Sequence, residues 1–113
     1  MNPPNDTISL QEAQDWTAEW RLQNPGKVKA FLIPIDDLTG VLKEKPDKVR
    51  AYLGIKTNLD GSTEEKLILV AADKNGNIYE DQLPPAQGDN GNYIFDLTTP
   101  CPSACDPTSS LNS

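Results

Sequence analysis

The segment from residue 48 to residue 57 alternates apolar and polar side chains, and this pattern limits the fold more than any other. Val49, Ala51, Leu53 and Ile55 fall on one face, and the residues between them fall on the other. A repeat of two residues is the period of a β-strand, whose side chains point alternately to its two faces. The pattern therefore predicts a half-buried strand.

A turn signal and a second strand-like segment follow. Asp60-Gly61 supplies the glycine that a hairpin turn needs for a positive φ. Residues 65–72 then predict the returning strand, which is apolar at every position from Leu67 to Ala72. Because such a strand needs cover on both faces, we expect it to be the central strand of its sheet. Together the segments predict an antiparallel hairpin.

An amphipathic helix is predicted over residues 9–23. Ser9 and Glu12 have the spacing of a capping box, and an Asn-Pro-Gly sequence ends the helical pattern. Trp16 and Trp20 lie one turn apart on the same helical face. We favour packing of both tryptophans in the core; the alternative is that they form an interaction surface for a ligand or a peptide.

Three shorter elements complete the predicted architecture. The apolar run Ala30–Ile33 predicts a buried strand that ends at Pro34, and residues 93–97 predict one more short strand. Between them, Asp36 or Asp37 can cap a short second helix. That helix is expected to point three side chains inward: Leu38, Val41 and Leu42.

The predicted elements and the length of 113 residues indicate one α+β domain over residues 1–99. In this domain, a small antiparallel sheet of about three to five strands packs against the N-terminal helix and the second short helix. Residues 100–113 are rich in Pro, Ser, Thr and Asp, and they lack periodicity. They predict a C-terminal tail without regular structure.

The net charge of −7 lies entirely in the second half of the chain. Residues 58–113 contain nine acidic and two basic side chains, whereas residues 1–57 are neutral. An acidic surface repels phosphate backbones, so we expect no nucleic acid partner. A surface that keeps the protein in solution is the simplest interpretation of this charge, and attraction of a basic partner is the alternative.

Missing residue types exclude most hydrolase chemistry, although paired carboxylates such as Glu80-Asp81 remain as candidates for acid-base work. The chain has no histidine, so it cannot form a Ser-His-Asp triad, a Cys-His pair or a histidine-based metal site. Neither of the glycine-rich phosphate-binding motifs occurs. We therefore predict that the protein is not an enzyme and uses no cofactor.

Membrane insertion and export are not expected from the sequence. The longest apolar run, Leu67–Ala72, is far shorter than the roughly 20 residues that cross a bilayer. The first residues lack the basic start and the apolar stretch of a secretion signal. These features predict a cytoplasmic protein without a membrane partner.

Asp73, Asn75 and Asn77 resemble the first three ligands of a calcium loop, since they occupy its positions one, three and five. The pattern fails at positions six and twelve, where an EF-hand has glycine and glutamate. A tight turn at Asn75-Gly76 between two strands explains the same residues, and we favour it.

The two cysteines, Cys101 and Cys105, are separated by three residues in the C-terminal segment. A structural zinc site needs four ligands, whereas this chain has two cysteines and no histidine. A redox-active pair usually has the spacing C-x-x-C at the start of a helix, whereas the spacing here is C-x-x-x-C. A local disulfide is feasible, because a turn brings the two Cα atoms within bonding range. In a reducing cytosol the pair is expected to remain as free thiols.

Four segments of the chain together resemble a known group of proteins: "AQDWTAEW", "VRAYLGI", "KLILVAAD" and "YIFDLTTPCPSAC". They look like small uncharacterised bacterial proteins with a C-terminal Cys-Pro-x-x-Cys tail. That set has no assigned activity, so the resemblance implies no chemistry and no functional residues.

The sequence favours a non-enzymatic binding or accessory protein with an acidic C-terminal half and a protein partner. The alternative is a thiol-active protein in which Cys101 and Cys105 alternate between dithiol and disulfide. A calcium-binding or zinc-binding module is a third hypothesis. The identity of the partner and the oligomeric state stay open at this stage.

Overall fold

The computed structural model describes residues 6–85, 91–96, 98–101 and 105–112. Within these ranges the chain forms two helices and five strands, which make two antiparallel sheets with the orders β2-β3-β4 and β1-β5. The elements are α1 (Leu10–Gln23), β1 (Ala30–Leu32), α2 (Ile35–Leu42), β2 (Lys48–Thr57), β3 (Thr63–Asn75), β4 (Ile78–Asp81) and β5 (Thr99–Cys101). The predicted α+β class is confirmed.

The central hairpin is confirmed, and β3 is the middle strand of its sheet. β2 and β3 pair without interruption from Lys48 opposite Ala72 to Thr57 opposite Thr63. In the turn that joins them, Gly61 adopts a φ of +87° and its N–H donates to the carbonyl oxygen of Asn58 at 3.0 Å. The glycine therefore provides the backbone geometry that the turn requires.

A second hairpin joins β3 to β4 through the two residues Gly76 and Asn77. Asn75 pairs with Ile78 across this turn, and Gly76 has a φ of +65°. A tight turn between two strands is confirmed here, but its two residues are Gly76-Asn77, one position later than the predicted Asn75-Gly76.

β4 pairs with only part of one edge of β3. Further along, the same edge forms an isolated β-bridge and bonds to one side chain. Phe95 and Leu69 exchange two backbone hydrogen bonds of 2.9 and 3.1 Å. The buried Thr98 hydroxyl accepts from the N–H of Leu67 at 2.9 Å and donates to its carbonyl oxygen at 2.7 Å. The strand expected over residues 93–97 is thus a one-residue bridge, in a stretch whose last residue lies outside the described part of the chain.

β1 forms where a strand was predicted, but it pairs with β5 and lies outside the main sheet. Ala30 is opposite Cys101, and Leu32 is opposite Thr99. The expected burial of this strand is wrong, because Leu32 is exposed and Phe31 is only half-buried. The expected boundary between the domain and the C-terminal tail, after residue 99, falls inside β5.

The described core is small and is centred on the second half of β3. Helix α2 packs across this strand and contributes its fully buried Val41. Besides Val41, the buried apolar residues are Leu69, Val70, Ala71, Ala72 and Cys101. Many large apolar side chains consequently remain on the surface.

The second helix is confirmed as α2, with two corrections. Its N-cap is Pro34, without a side-chain cap, and neither Asp36 nor Asp37 caps it. Of the three residues expected to point inward only Val41 is buried; Leu38 and Leu42 are exposed. The buried residues of α2 are Asp37 and Val41, which are four residues apart and share one helical face, whereas Leu38 and Leu42 lie on the adjoining face.

The capping box of α1 is present in full. The N–H of Glu12 donates to Ser9 Oγ at 3.0 Å, and the N–H of Ser9 donates to the Glu12 carboxylate at 3.3 Å. None of the described residues of α1 is buried. The helix instead contacts the C-terminal segment: Gln14 Nε2 donates to Ser110 Oγ at 2.8 Å, and Arg21 donates to the carbonyl oxygen of Leu111.

Candidate interaction surface

Trp16 and Trp20 lie on the surface, with exposed fractions of 59% and 46%. The expectation that they pack in the core is therefore wrong. Trp20 Nε1 donates to the carbonyl oxygen of Val28 at 3.0 Å, which ties the indole to the chain that enters β1. Helical periodicity identifies an apolar face, but it does not determine whether another element covers that face.

The two tryptophans form one wall of a surface cavity of about 370 Å³ between α1 and β2. At Val28 and Leu53 this cavity adjoins a second one, of about 490 Å³, that extends along β2 past Ile55 to Glu65. We call the combined surface the α1–β2 trough. Its apolar walls are formed by Trp16, Trp20, Val28, Phe31, Leu53 and Ile55.

One end of the α1–β2 trough is basic. Lys29 lines both the trough and a neighbouring cavity, which is also lined by Arg21 and Lys27. Sequence analysis did not identify this end, although residues 20–35 contain three basic and no acidic side chains. These three side chains make the surface locally positive in a protein whose net charge is −7.

β2 forms the other wall, and its apolar face is open. Leu53 and Ile55 each expose 74% of their surface, and Val49 is also exposed. The prediction that β2 is half-buried is therefore wrong, since none of its described residues is buried. The alternation that predicted the strand is present, but no described element covers its apolar side.

The opposite face of the sheet carries a polar cluster that joins β2 to β4. Asp81 accepts hydrogen bonds from Tyr52 and Arg50. The bond from Tyr52, with the charge and hydrogen bond of Arg50, lowers the pKa of Asp81, and the bond to Asp81 raises the pKa of Tyr52. Beside them, the Lys48 ammonium lies 4.6 Å from the ring centre of Tyr79. These contacts connect strands across β3, which is a structural role.

Cys101 and Cys105 form a disulfide, with their Cα atoms 4.7 Å apart. Of the alternatives left open by the sequence, the structure has the local bridge; the turn over residues 102–104 lies outside the described residues. Cys101 is 2% exposed in β5, and Asn112 Oδ1 lies 3.7 Å from its sulfur. The bridge therefore joins a buried strand to the segment that contacts α1.

The residues that resemble a calcium loop are engaged elsewhere. Asp73 Oδ1 accepts from the N–H of Asp47 at 2.9 Å, and Asn75 Nδ2 donates to Glu80 Oε2 at 2.9 Å. Asn77 lies in the turn. Within the described ranges, no group of three or more Cys, Asp or Glu side chains is arranged to hold a metal ion.

Neither described helix has the length and apolar character to cross a membrane. Comparison with protein-family models, with curated proteins and with solved structures finds no match to the chain. The resemblance to small bacterial proteins with a Cys-Pro-x-x-Cys tail therefore stays a prediction. The function has to be argued from the surface itself.

Proposed function

We propose that the protein is a non-enzymatic binding or accessory protein that contacts a protein partner through the α1–β2 trough. The main observation behind this proposal is that one surface exposes four large apolar side chains together: Trp16, Trp20, Leu53 and Ile55. Contiguous exposed apolar patches mark interaction sites, and tryptophan is enriched among the residues that dominate binding energy. The basic end at Lys29 adds a charged rim to the apolar centre.

The chemistry of the other polar groups supports a role without catalysis. The chain has no histidine, and the cluster of Tyr52, Arg50 and Asp81 is engaged in bonds between strands. Asp81 has a lowered pKa, whereas a general acid needs a raised one. None of these groups is poised for proton transfer near neutral pH.

The bond between Cys101 and Cys105 favours a second candidate, a thiol-active protein. Support for it is weaker, because an attacking thiolate must reach a sulfur, and Cys101 is buried while Cys105 is half-buried. Thiol-transfer assays on the wild type and on Cys101→Ser and Cys105→Ser variants test this candidate. Equal activity in all three proteins contradicts it.

The proposed cytoplasmic location is tested by the same cysteines. Glutathione and thioredoxin keep cytosolic thiols reduced, so the pair should be alkylated when intact cells are quenched with an alkylating agent. Intact mass reports the number of alkyl groups. A disulfide that persists under this treatment contradicts a cytoplasmic location.

The binding proposal is tested by affinity capture from extract of the source cells. The baits are the wild type, the double variant Trp16→Ala/Trp20→Ala, and Leu22→Ala as a matched control. Leu22 is an exposed apolar residue of α1 that does not line the trough. We expect a partner that the wild type and Leu22→Ala retain and that the tryptophan variant loses. The absence of any partner that depends on the tryptophans contradicts the proposal.

A further inference from the structure

Among the described residues, β2 is an edge strand whose outer side is open along its whole length. It is first in the sheet order, and none of the described residues pairs with its outer edge. Its ten residues pair with β3 in one continuous register, without a bulge. Long, regular edge strands are templates for strand addition, and most proteins shorten, bend or cover them.

The hydrogen bonds of β3 show which backbone groups of β2 point outward. Leu69 bonds to Phe95 through both of its backbone groups, and the carbonyl oxygen of Ala71 accepts from Gln82, so odd-numbered residues of β3 face away from β2. Backbone groups alternate along a strand, and even-numbered residues of β3 therefore face β2. Their partners in β2 are also even-numbered. The N–H and C=O groups of the odd-numbered residues from 49 to 57 consequently point outward.

The same odd-numbered residues carry the exposed apolar side chains of β2. Leu53 and Ile55 line the trough beside the outward-facing backbone. A strand added to this edge gains main-chain hydrogen bonds along β2, and its alternate side chains pack over Leu53 towards Trp16 and Trp20. Strand addition combines these two kinds of contact, with backbone bonds for affinity and pockets for specificity.

The charge of this surface indicates the chemistry of the added strand. β2 has three basic side chains, Lys48, Arg50 and Lys56, and no acidic one. Arg50 is paired with Asp81, Lys48 lies over the Tyr79 ring, and Lys56 is opposite Glu64 in the register with β3, but no ion pair of the described residues engages Lys48 or Lys56. These two side chains share the face of the sheet opposite the trough, where they favour acidic side chains on the occupant.

The two registers that pair the most residues of β2 with β2 of a second copy, those centred on Tyr52 and on Leu53, both place like charges opposite each other; in the second, Arg50 lies opposite Lys56. In a symmetric antiparallel pair centred on Tyr52, Lys48 of one copy lies opposite Lys56 of the other, and this repulsion occurs twice. Like charges directly opposite each other destabilise a sheet.

We propose that the outer edge of β2 accepts an extended segment of a partner protein, in which apolar and acidic residues alternate, as an added β-strand. This inference rests on the proposed binding function and specifies its site and the chemistry of its partner. The apolar residues of the segment contact Leu53 and the trough, and its acidic residues lie on the opposite face of the sheet, near Lys48 and Lys56.

The first experiment uses synthetic fluorescent peptides that are as long as β2. One alternates valine with glutamate, a second has lysine in place of glutamate, and a third is the glutamate peptide with alternate backbone amides methylated. Fluorescence anisotropy at low salt should show saturable binding of the glutamate peptide and about tenfold weaker binding of the lysine peptide. Methylation should abolish binding, because it removes the donors that pair with the edge. Equal binding of all three peptides, or no binding of the glutamate peptide, overturns the inference.

Protein variants locate the bound strand. Leu53→Pro removes an outward N–H and leaves the bonds to β3, and prolines are tolerated on the free side of edge strands. We expect about tenfold weaker binding of the glutamate peptide by Leu53→Pro, and a smaller loss by Leu53→Ala, which keeps the N–H. The Leu22→Ala variant should bind as the wild type does. Wild-type affinity of Leu53→Pro overturns the inference, and the methylated peptide tests the same bonds in the unaltered protein.

Capture baits separate this inference from the binding function on which it rests. A partner that is lost with Trp16→Ala/Trp20→Ala but retained by Leu53→Pro overturns strand addition and supports the binding function. The two experiments can also disagree in the other direction. If the glutamate peptide binds the protein as expected but capture from extract yields no tryptophan-dependent partner, the strand site is supported and the proposed cellular role is contradicted.

Discussion

Thr98 completes the edge of β3 with its side chain, and the substitution Thr98→Val measures how much this contact stabilises the fold. The hydroxyl accepts from the N–H of Leu67 at 2.9 Å and donates to its carbonyl oxygen at 2.7 Å. Valine has nearly the same shape, but it leaves both backbone groups of the half-buried Leu67 without this partner. The lost hydrogen bonds and the unpaired groups should together lower the free energy of unfolding by about 2 to 3 kcal/mol.

Thr98→Ser is the matched control, because serine keeps the hydroxyl and removes one methyl group. Its expected loss is about 1 kcal/mol from reduced apolar burial. Urea denaturation of the wild type and both variants, followed by circular dichroism, gives the three free energies of unfolding. We expect the wild type to be the most stable, the serine variant to follow and the valine variant to be the least stable, although valine is the more apolar residue. A valine variant as stable as the serine variant would refute the structural role of the hydroxyl.

Three further predictions concern stability. Gly40→Ala should lower the free energy of unfolding by up to about 2 kcal/mol in urea denaturation, because overpacking outweighs the gain in helix propensity: the added Cβ would lie 2.5 Å from the Phe95 ring. In a Phe95→Ala background the same substitution should stabilise the protein, and stabilisation in the wild type would contradict this packing. Cys105→Ser should cost about 2 kcal/mol through loss of a short disulfide loop, and an unchanged urea midpoint would contradict that estimate. Tyr52→Phe should lower the melting temperature most between about pH 4 and pH 10. The pKa of Asp81 is held below 3.8, so its contribution is lost as pH falls through that lowered value; the pKa of Tyr52 is raised above 10.0, so its contribution is lost as pH rises through the raised value. A melting-temperature difference that is constant with pH would contradict this account.

Elements with strong local signals could be predicted from the sequence. The alternation in residues 48–57 and the glycine at position 61 define the central hairpin, since both the strand period and the turn geometry are local properties. The helix start at Ser9 and the turn at Gly76 follow from the same kind of signal. In each case a few neighbouring residues determine the conformation.

Contacts between distant segments could not be predicted in this way. β1 and β5 are three-residue strands on opposite sides of the main hairpin in the sequence, and so short a segment has no measurable period. At Leu67, the Thr98 hydroxyl makes the hydrogen bonds that a neighbouring strand would otherwise make, and this contact also leaves no pattern in the sequence. Both features depend on the tertiary fold.

The candidate site was predicted only in part. Trp16 and Trp20 were identified as an apolar pair, but their spacing does not show whether a sheet covers them. The open edge of β2 was missed for a related reason, because alternation predicts an apolar face and not its cover. The basic run over residues 20–35 was a detectable signal that the total charge concealed.

Amide hydrogen exchange along β2, measured residue by residue by NMR with and without the glutamate peptide, tests the central claim most directly. In the free protein, the amides of even-numbered residues such as Tyr52 should exchange slowly, because they bond to β3, and those of odd-numbered residues such as Leu53 should exchange fast. Saturating peptide should slow the odd-numbered amides selectively. Odd-numbered amides that are already protected in the free protein, or that stay fast when the peptide is bound, would contradict the claim that β2 is an open edge for an acidic strand.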